Sequence, residues 1–223
     1  EPNNRHLALN LATVRLTSPE PATREKARAD LALLVEQNSL RLEALRALTA
    51  DALANRSLGT AEKWATQLRN EKGATFTDLL LFVEASRKNS DGDLALHDAE
   101  TNAARSPATA AALITWMNRH EMAKAARDWA LGLPAQILNA QPVPLAVAEA
   151  YSFLQDWSAL QAWVDEKNWG EAEFLRLAVL SHALHRLAPG DRASMESQTA
   201  WAAALKATNN RPDRLAAIAQ LAE

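Results

Sequence analysis

A repeat of about 34 residues constrains this chain more than any other feature. Bulky apolar residues stand at Leu48, Phe82, Trp116 and Tyr151, at successive steps of 34, 34 and 35 residues. A fixed period in this range is typical of stacked two-helix units, because one helical hairpin cannot bury its apolar face alone and packs on its neighbours. The repeat therefore predicts stacked helix pairs, with these four side chains sealed in equivalent positions between them.

The composition favours helices throughout and excludes one class of partner. Ala and Leu together supply more than a third of the 223 residues, whereas Val and Ile together number only ten. Ala and Leu lose little side-chain freedom in a helix, while strands favour β-branched residues. We therefore expect an all-α chain. The net charge is −3 and Lys and Arg are scattered among acids. Since nucleic acids bind to clustered positive faces, we also expect no nucleic-acid partner.

Apolar periodicity and helix-end residues predict the helices of the chain. They are expected over 5–16, 22–37, 41–55, 60–71, 75–88, 92–105, 107–119, 121–132, 143–155, 157–167, 171–187, 193–208 and 212–222. Thr75 with Asp78 has the pattern of a capping box, and Ser106 before Pro107 is typical of a helix start. No linker divides the chain. We therefore predict one domain over 1–223, with the clearest repeats over 41–208 and a C-terminal capping helix within 209–223.

The third helix pair resembles a tetratricopeptide (TPR) unit. That family places a large aromatic residue in the first helix, a small residue nine positions later and a bulky residue four positions after that. Trp116, Ala125 and Trp129 match those places, while Leu160 departs from the small-residue rule in the fourth pair. The chain is thus similar to a degenerate bacterial TPR-like protein. The resemblance implies a right-handed α-solenoid of about five TPR-like antiparallel helix pairs with terminal capping helices.

Two features of the helices carry open alternatives. The segment from Leu42 to Ala54 suits a HEAT-like pattern as well as a TPR-like one. Three tryptophans, Trp157, Trp163 and Trp169, recur at spacings of six residues. Residues six apart do not lie on the same face of a helix. We expect Trp163 to face the core and the other two to lie at the ends of its helix.

The resemblance also implies that the first helix of each pair lines a concave groove. Six residues close to the aromatic positions are predicted to face it as partner-binding residues: Glu43, Arg46, Glu84, Met117, Asn118 and Glu149. The basic clamp with which the family holds peptide C-termini is not reproduced, because acids stand beside Arg46 and Asn118. The predicted function is a protein–protein interaction or scaffolding module that binds a neutral or partly cationic peptide or protein, without catalysis.

Two other functions stay open at this stage. One is a structural spacer or oligomerisation segment of a larger, for example membrane-anchored, protein. The other is a metal protein or enzyme that uses His182 and His185, although a closed metal site needs further ligands. The sequence has no phosphate-binding loop, no Gly-x-Ser-x-Gly elbow and no Cys nucleophile, so we expect no enzyme activity and no cofactor.

The compartment is left open by the sequence. The chain begins at Glu1 without an initiator Met, which we interpret as a processed form or a fragment, so that an export signal or a membrane anchor upstream stays open. Its apolar runs, such as Leu79 to Val83, are too short to span a bilayer. We expect no membrane contact from this segment itself.

Overall fold

The computed structural model describes residues 4–87, 92–165, 167–187 and 191–221. Over these residues the regular elements are helices and none is a strand, which confirms the all-α class. No helix among them has both the length and the apolar character needed to cross a membrane. The predicted helix limits lie within two residues of the observed ones, apart from the predicted ends at 88 and 222, which fall outside the described residues.

The chain divides into two compact units, Glu1–Asn102 and Ala103–Glu223. The division falls in a helix and carries no linker composition, so the sequence offers no signal for it. Helices α1 to α6 begin in the first unit, at these limits: α1 (Arg5–Arg15), α2 (Pro21–Val35), α3 (Arg41–Ala54), α4 (Leu58–Arg69), α5 (Phe76–Ser86) and α6 (Gly92–Ala103). From α1 to α5 each helix packs on the next, and α3 also contacts α1 and α5.

The core of the first unit lies along α2, α3 and α4. Leu31, Leu45 and Leu68 are fully buried there. The face of α4 that carries Leu68 also buries Ala61 and Ala65. Because alanine side chains are small, they let α4 approach α3 and α5 closely, as ridge-and-groove packing requires.

Local capping residues fix helix starts in both units. Thr75 and Asp78 form the predicted capping box at the start of α5. The Ser106 hydroxyl accepts a hydrogen bond from the Thr109 N–H at 3.2 Å at the start of α7. The Asp78 carboxylate and the Ser106 hydroxyl each accept a hydrogen bond from a backbone N–H group that the helix itself leaves without a partner. The two predicted caps are confirmed.

The second unit contains α7 (Pro107–Arg119), α8 (Ala123–Leu131), a short α9 (Ala135–Leu138), α10 (Val143–Phe153), α11 (Trp157–Asp165), a 3₁₀ turn (Gly170–Ala172), α12 (Glu173–Leu187), α13 (Asp191–Ala207) and α14 (Pro212–Leu221). The sequence analysis missed α9, which is a single turn. Helix α7 packs on α8 and α10, and α10 packs on α8 and α11. Helix α12 contacts α10, α11, α13 and α14.

The burial pattern in α7 and α8 corrects the aromatic register. Leu48, Phe82 and Tyr151 are buried as predicted, but Trp116 is only half-buried. The adjacent Met117 is fully buried instead. The core face of α7 follows helical spacing through apolar residues ending at Met117, so Trp116 lies at the edge of that face.

The small-residue position of the third pair is shifted by one residue. Ala125 is exposed, so it does not separate two packed helices. Ala123, Ala126 and Ala130 are the buried alanines of α8, at spacings of three and four. The match of Ala125 to the TPR pattern is therefore wrong, although an alanine one residue later has the expected environment.

Among the spaced tryptophans, Trp163 and Trp169 are buried and Trp157 is half-buried at the first residue of α11. The Trp163 indole N–H donates a hydrogen bond to the carbonyl oxygen of Pro144 at 3.0 Å. The prediction that Trp163 faces the core is confirmed. This hydrogen bond joins α11 to the start of α10.

Candidate functional site

The three groove residues predicted in the first unit lie in different environments. Glu43 is exposed in the first turn of α3, and Glu84 is half-buried on α5. The Glu84 carboxylate lies 3.8 Å from the Arg87 guanidinium. Arg46 is paired with a buried acid on another helix. These environments do not identify a common binding surface in the first unit.

Arg46 joins α3 to the start of α5. Its Nε and Nη2 atoms donate to the two carboxylate oxygens of Asp78 at 2.8 and 2.7 Å. Burial pushes the pKa of Asp78 upward, but the hydrogen bonds from Arg46 and from Thr75 outweigh it and hold that pKa below its ordinary value. Arg46 therefore neutralises the capping carboxylate of α5, and its guanidinium is already occupied.

Two predicted groove residues of the second unit are in its interior. Met117 is fully buried and Asn118 is 3 % exposed, so neither side chain can meet a partner at the surface. The Asn118 amide donates to the carbonyl oxygen of Ala146 at 3.2 Å and so joins α7 to α10. Their assignment as partner-binding residues is corrected: α7 packs against both α8 and α10, which covers this part of its surface.

Glu149, the sixth predicted residue, borders a cavity in the second unit. The cavity lies among α10, α12 and α14 and has a volume of about 490 Å³. Such a volume is within the range of pockets that bind small ligands. Its lining residues are mostly apolar and include Leu145, Phe153, Val179 and Leu221. Phe153 is 61 % exposed and forms part of the rim.

Glu149 is the acidic group of this cavity. It is half-buried, and burial raises the pKa of its carboxyl group, while the positive charge of Arg119 on α7 opposes that rise. Within the described part of the chain, its carboxylate has no hydrogen bond and no ion pair. Losing part of its hydration without gaining a donor disfavours the charged form of a carboxylate. The group is thus suited to accept a donor or a cation from a ligand.

The imidazole of His182 lines the cavity on its α12 side. The ring of His182 meets the edge of the Trp157 ring with centroids 5.2 Å apart, and the Arg186 guanidinium lies 4.9 Å from the centre of the same Trp157 ring. Although the residue as a whole is exposed, partial burial of the ring, and after it the charges of Arg186 and His185, lower the pKa of His182. His182 is therefore neutral at pH 7 and adds a polar but uncharged edge to the cavity.

A second cavity, in the first unit, has a volume of about 520 Å³. Arg28 and Asp51 line it, and the Arg28 Nε donates to the Asp51 carboxylate at 2.6 Å. The side-chain amide of Asn55 also donates to Asp51, at 3.0 Å. Its polar groups are thus bonded to one another, unlike Glu149 in the second unit. The cavity around Glu149 is the better candidate site.

Among the described residues, the histidine pair belongs to no group of side chains that could hold a metal ion. His182 and His185 are both exposed on α12. Nowhere in the described ranges do three or more His, Cys, Asp or Glu side chains group closely enough to hold a metal ion. Because a closed zinc site needs about four ligands, this pair provides no metal centre on its own.

Of the residues that line the cavity, Glu149 is the one that the sequence predicted as a binding residue. Glu149 was predicted from its place beside the aromatic position Tyr151. Val179 and Leu221 gave no signal, because each is an ordinary apolar residue in an amphipathic helix. The segment 209–223 was interpreted only as a cap. Their proximity depends on how α12 and α14 pack, which local periodicity does not encode.

Comparison with known proteins identified no related protein. No family model matches the chain, and searches of curated proteins and of solved structures gave no significant match.

Proposed function

We propose that this chain is a protein–protein interaction module of the TPR-like helical-repeat type, and that its second unit binds a partner peptide in the cavity among α10, α12 and α14. The cavity itself, with largely apolar walls and an acidic group that has no bonding partner in the described part of the chain, is the observation that carries the proposal. In this proposal the module works as a rigid scaffold. Packed helices hold the binding side chains in place, so these side chains lose little conformational entropy on binding.

The helix arrangement within each unit supports a repeat architecture. The helices α3, α5, α7 and α10 begin at 41, 76, 107 and 143, which keeps their spacing close to the sequence period. Helix α3 contacts α4 and α5, and α7 contacts α8 and α10. In each unit a first helix therefore packs on its own partner and on the next first helix. We propose on this basis a right-handed solenoid of about five helix pairs.

The chemistry of the cavity supports a peptide segment as its occupant. Leu145 and Val179 offer apolar contact, while Ser152 and Gln220 offer hydrogen-bonding groups at the same cavity. An apolar pocket with few polar groups is typical of sites that hold one anchoring side chain and fix its orientation. The partner is expected to insert a side chain with an aliphatic stem.

A random peptide library displayed on phage and selected on the immobilised full chain tests the proposal. We expect enrichment of peptides that share one residue with an aliphatic stem. Ser152→Trp places a large ring in the cavity and should weaken binding of the enriched peptides at least about tenfold. The Ser152 hydroxyl donates to the Ala148 carbonyl oxygen of its own helix at 3.1 Å and joins no other helix among the described residues, so its loss should leave the fold intact.

Ala162→Trp is the matched control, because Ala162 is exposed on α11 and does not line the cavity. This variant should bind the peptides as the parent chain does, and thermal melts should show that both variants are folded. No enrichment, or an equal effect of both substitutions, would contradict the proposal. A chain that selects no peptide but self-associates in sedimentation would instead support the spacer or oligomerisation alternative.

A further inference from the structure

The carboxylate of Glu149 indicates the class of side chain that the cavity binds. It projects from α10 into a space whose other walls, from α12 and α14, are largely apolar. Among the described residues no donor bonds to it, although it is half-buried. Asp78, the buried acid among the described residues, has a partner in Arg46. Glu149 differs from it, because it is half-buried and has no bonding partner among those residues.

We propose that the cavity binds the side chain of a Lys or Arg residue of the partner peptide, with the aliphatic stem against Leu145 and Val179 and the cationic head on the carboxylate of Glu149. The inference rests on the proposed function, because it names the residue class that the same cavity accepts. Lys and Arg combine an apolar stem with a charged head, which matches these walls and this acid.

Among the described residues that line the cavity, Glu149 carries the negative charge and none is a Lys or Arg, although Arg119 lies near Glu149 and Arg186 near His182. On α12, His182 is neutral at pH 7 because burial, Arg186 and His185 lower its pKa. The lining residues of α14 are Gln220 and Leu221, which carry no charge. Arg119 on α7 acts on Glu149 only through space, without a hydrogen bond. An incoming ammonium or guanidinium group would thus complete the pairing of Glu149, whereas an incoming carboxylate would be repelled.

Three small probes of equal chain length separate charge from apolar contact: n-hexylammonium, 1-hexanol and hexanoate. Binding to the full chain is followed by NMR shifts of the Val179 and Leu145 methyl groups. We expect hexylammonium to bind about tenfold more tightly than hexanol, and hexanoate to bind most weakly. Raising the salt concentration should weaken the ammonium complex and leave the alcohol complex unchanged.

Glu149→Gln and Glu121→Gln form the matched pair of variants. Glu121 is exposed and does not line the cavity, so Glu121→Gln should keep the preference for hexylammonium. Glu149→Gln should bind hexylammonium and hexanol equally. In a peptide enriched by selection, replacement of its Lys by norleucine should lower affinity for the parent chain and not for Glu149→Gln. This peptide comparison shows that the cation comes from a peptide side chain rather than from a free amine.

The outcomes distinguish this inference from the proposed function. If none of the probes shifts the methyl groups and no peptide is selected, the cavity is not a binding site and both proposals fall. If hexanol binds the parent chain as tightly as hexylammonium, or if Glu149→Gln keeps the ammonium preference, the cavity is still a binding site. The inference that it binds a cationic side chain is then wrong. Selected peptides that lack Lys and Arg would overturn it in the same way.

Discussion

Ser181 on α12 and Ser197 on α13 exchange hydrogen bonds across a buried interface. The Ser181 hydroxyl donates to the Ser197 carbonyl oxygen at 2.8 Å, and the Ser197 hydroxyl donates to the Ser181 carbonyl oxygen at 2.9 Å. Both residues are less than a tenth exposed. The small side chains let the two helix backbones approach, and the reciprocal bonds satisfy both hydroxyl groups.

We expect Ser181→Ala and Ser197→Ala each to lower the free energy of unfolding by about 1 kcal/mol, the net value of a buried hydrogen bond. The double variant should lose less than the sum, because the two hydroxyl oxygens also lie within hydrogen-bond distance of each other, at 3.1 Å, and either single substitution already removes that contact. Urea unfolding of the four chains measures this coupling. Thr199→Ala is the control: the Thr199 hydroxyl bonds within its own exposed turn, so its loss should change little. Strict additivity would show that the two hydroxyls act independently.

The Arg46–Asp78 pair should contribute to stability in a pH-dependent way. Arg46→Met removes the guanidinium and leaves Asp78, which is 1 % exposed, with only its Thr75 partners. We expect a loss of about 2 kcal/mol at pH 7, below the value for a fully buried pair, because the Arg46 side chain is 36 % exposed.

The folded-state pKa of Asp78 is depressed, so the stabilisation is present above the ordinary Asp range and is lost as the pH falls through the folded pKa. The difference between Arg46→Met and the parent chain should therefore shrink in acid. Arg211→Met breaks an exposed pair with Asp213 and should leave the stability almost unchanged at any pH, because solvent screens exposed ion pairs. A constant difference down to low pH would contradict the electrostatic explanation.

Substitutions at 116 and 117 test the corrected register of α7. Met117→Ala empties a fully buried position and should cost about 2–5 kcal/mol. Trp116→Ala removes a half-buried ring that packs beside His120, with ring centroids 4.3 Å apart, and should cost about 1–2 kcal/mol. Chemical unfolding of the two variants gives the comparison. If Trp116→Ala proved the more damaging, the aromatic residue would belong in the core after all.

Glu149→Gln should stabilise the free protein at neutral pH. The folded-state pKa of Glu149 is raised by burial, so its ionised form is disfavoured by folding and the resulting penalty grows as the pH rises from the ordinary Glu range through the folded pKa. The neutral amide of Gln avoids that penalty. Thermal melts at pH 7 and near pH 3 should show a gain that is lost in acid. An equal melting temperature at pH 7 would mean that water or a counter-charge already compensates the carboxylate.

The helices and their starts were predictable because the interactions that set them are local. Thr75 and Asp78 are three residues apart, as are Ser106 and Thr109, so each cap is visible in a short window. The spacing of apolar residues likewise gave α7 its limits, Pro107–Arg119, without error. Glu149 was selected from its position along α10, which the same periodicity supplies.

Which side of each helix is buried, and what lies opposite it, was decided by tertiary packing. A shift of one residue turns a helical side chain by about 100°, so the sequence placed Trp116 and Ala125 where Met117 and Ala126 lie. The cavity likewise exists only because α14 returns to pack on α12 near Glu149, more than 60 residues earlier in the chain. The sequence alone determined an all-helical chain and the limits of its helices, since periodicity and capping act within one or two turns. Tertiary structure alone decided the interior and the cavity beside Glu149, since both depend on contacts between residues far apart in the sequence.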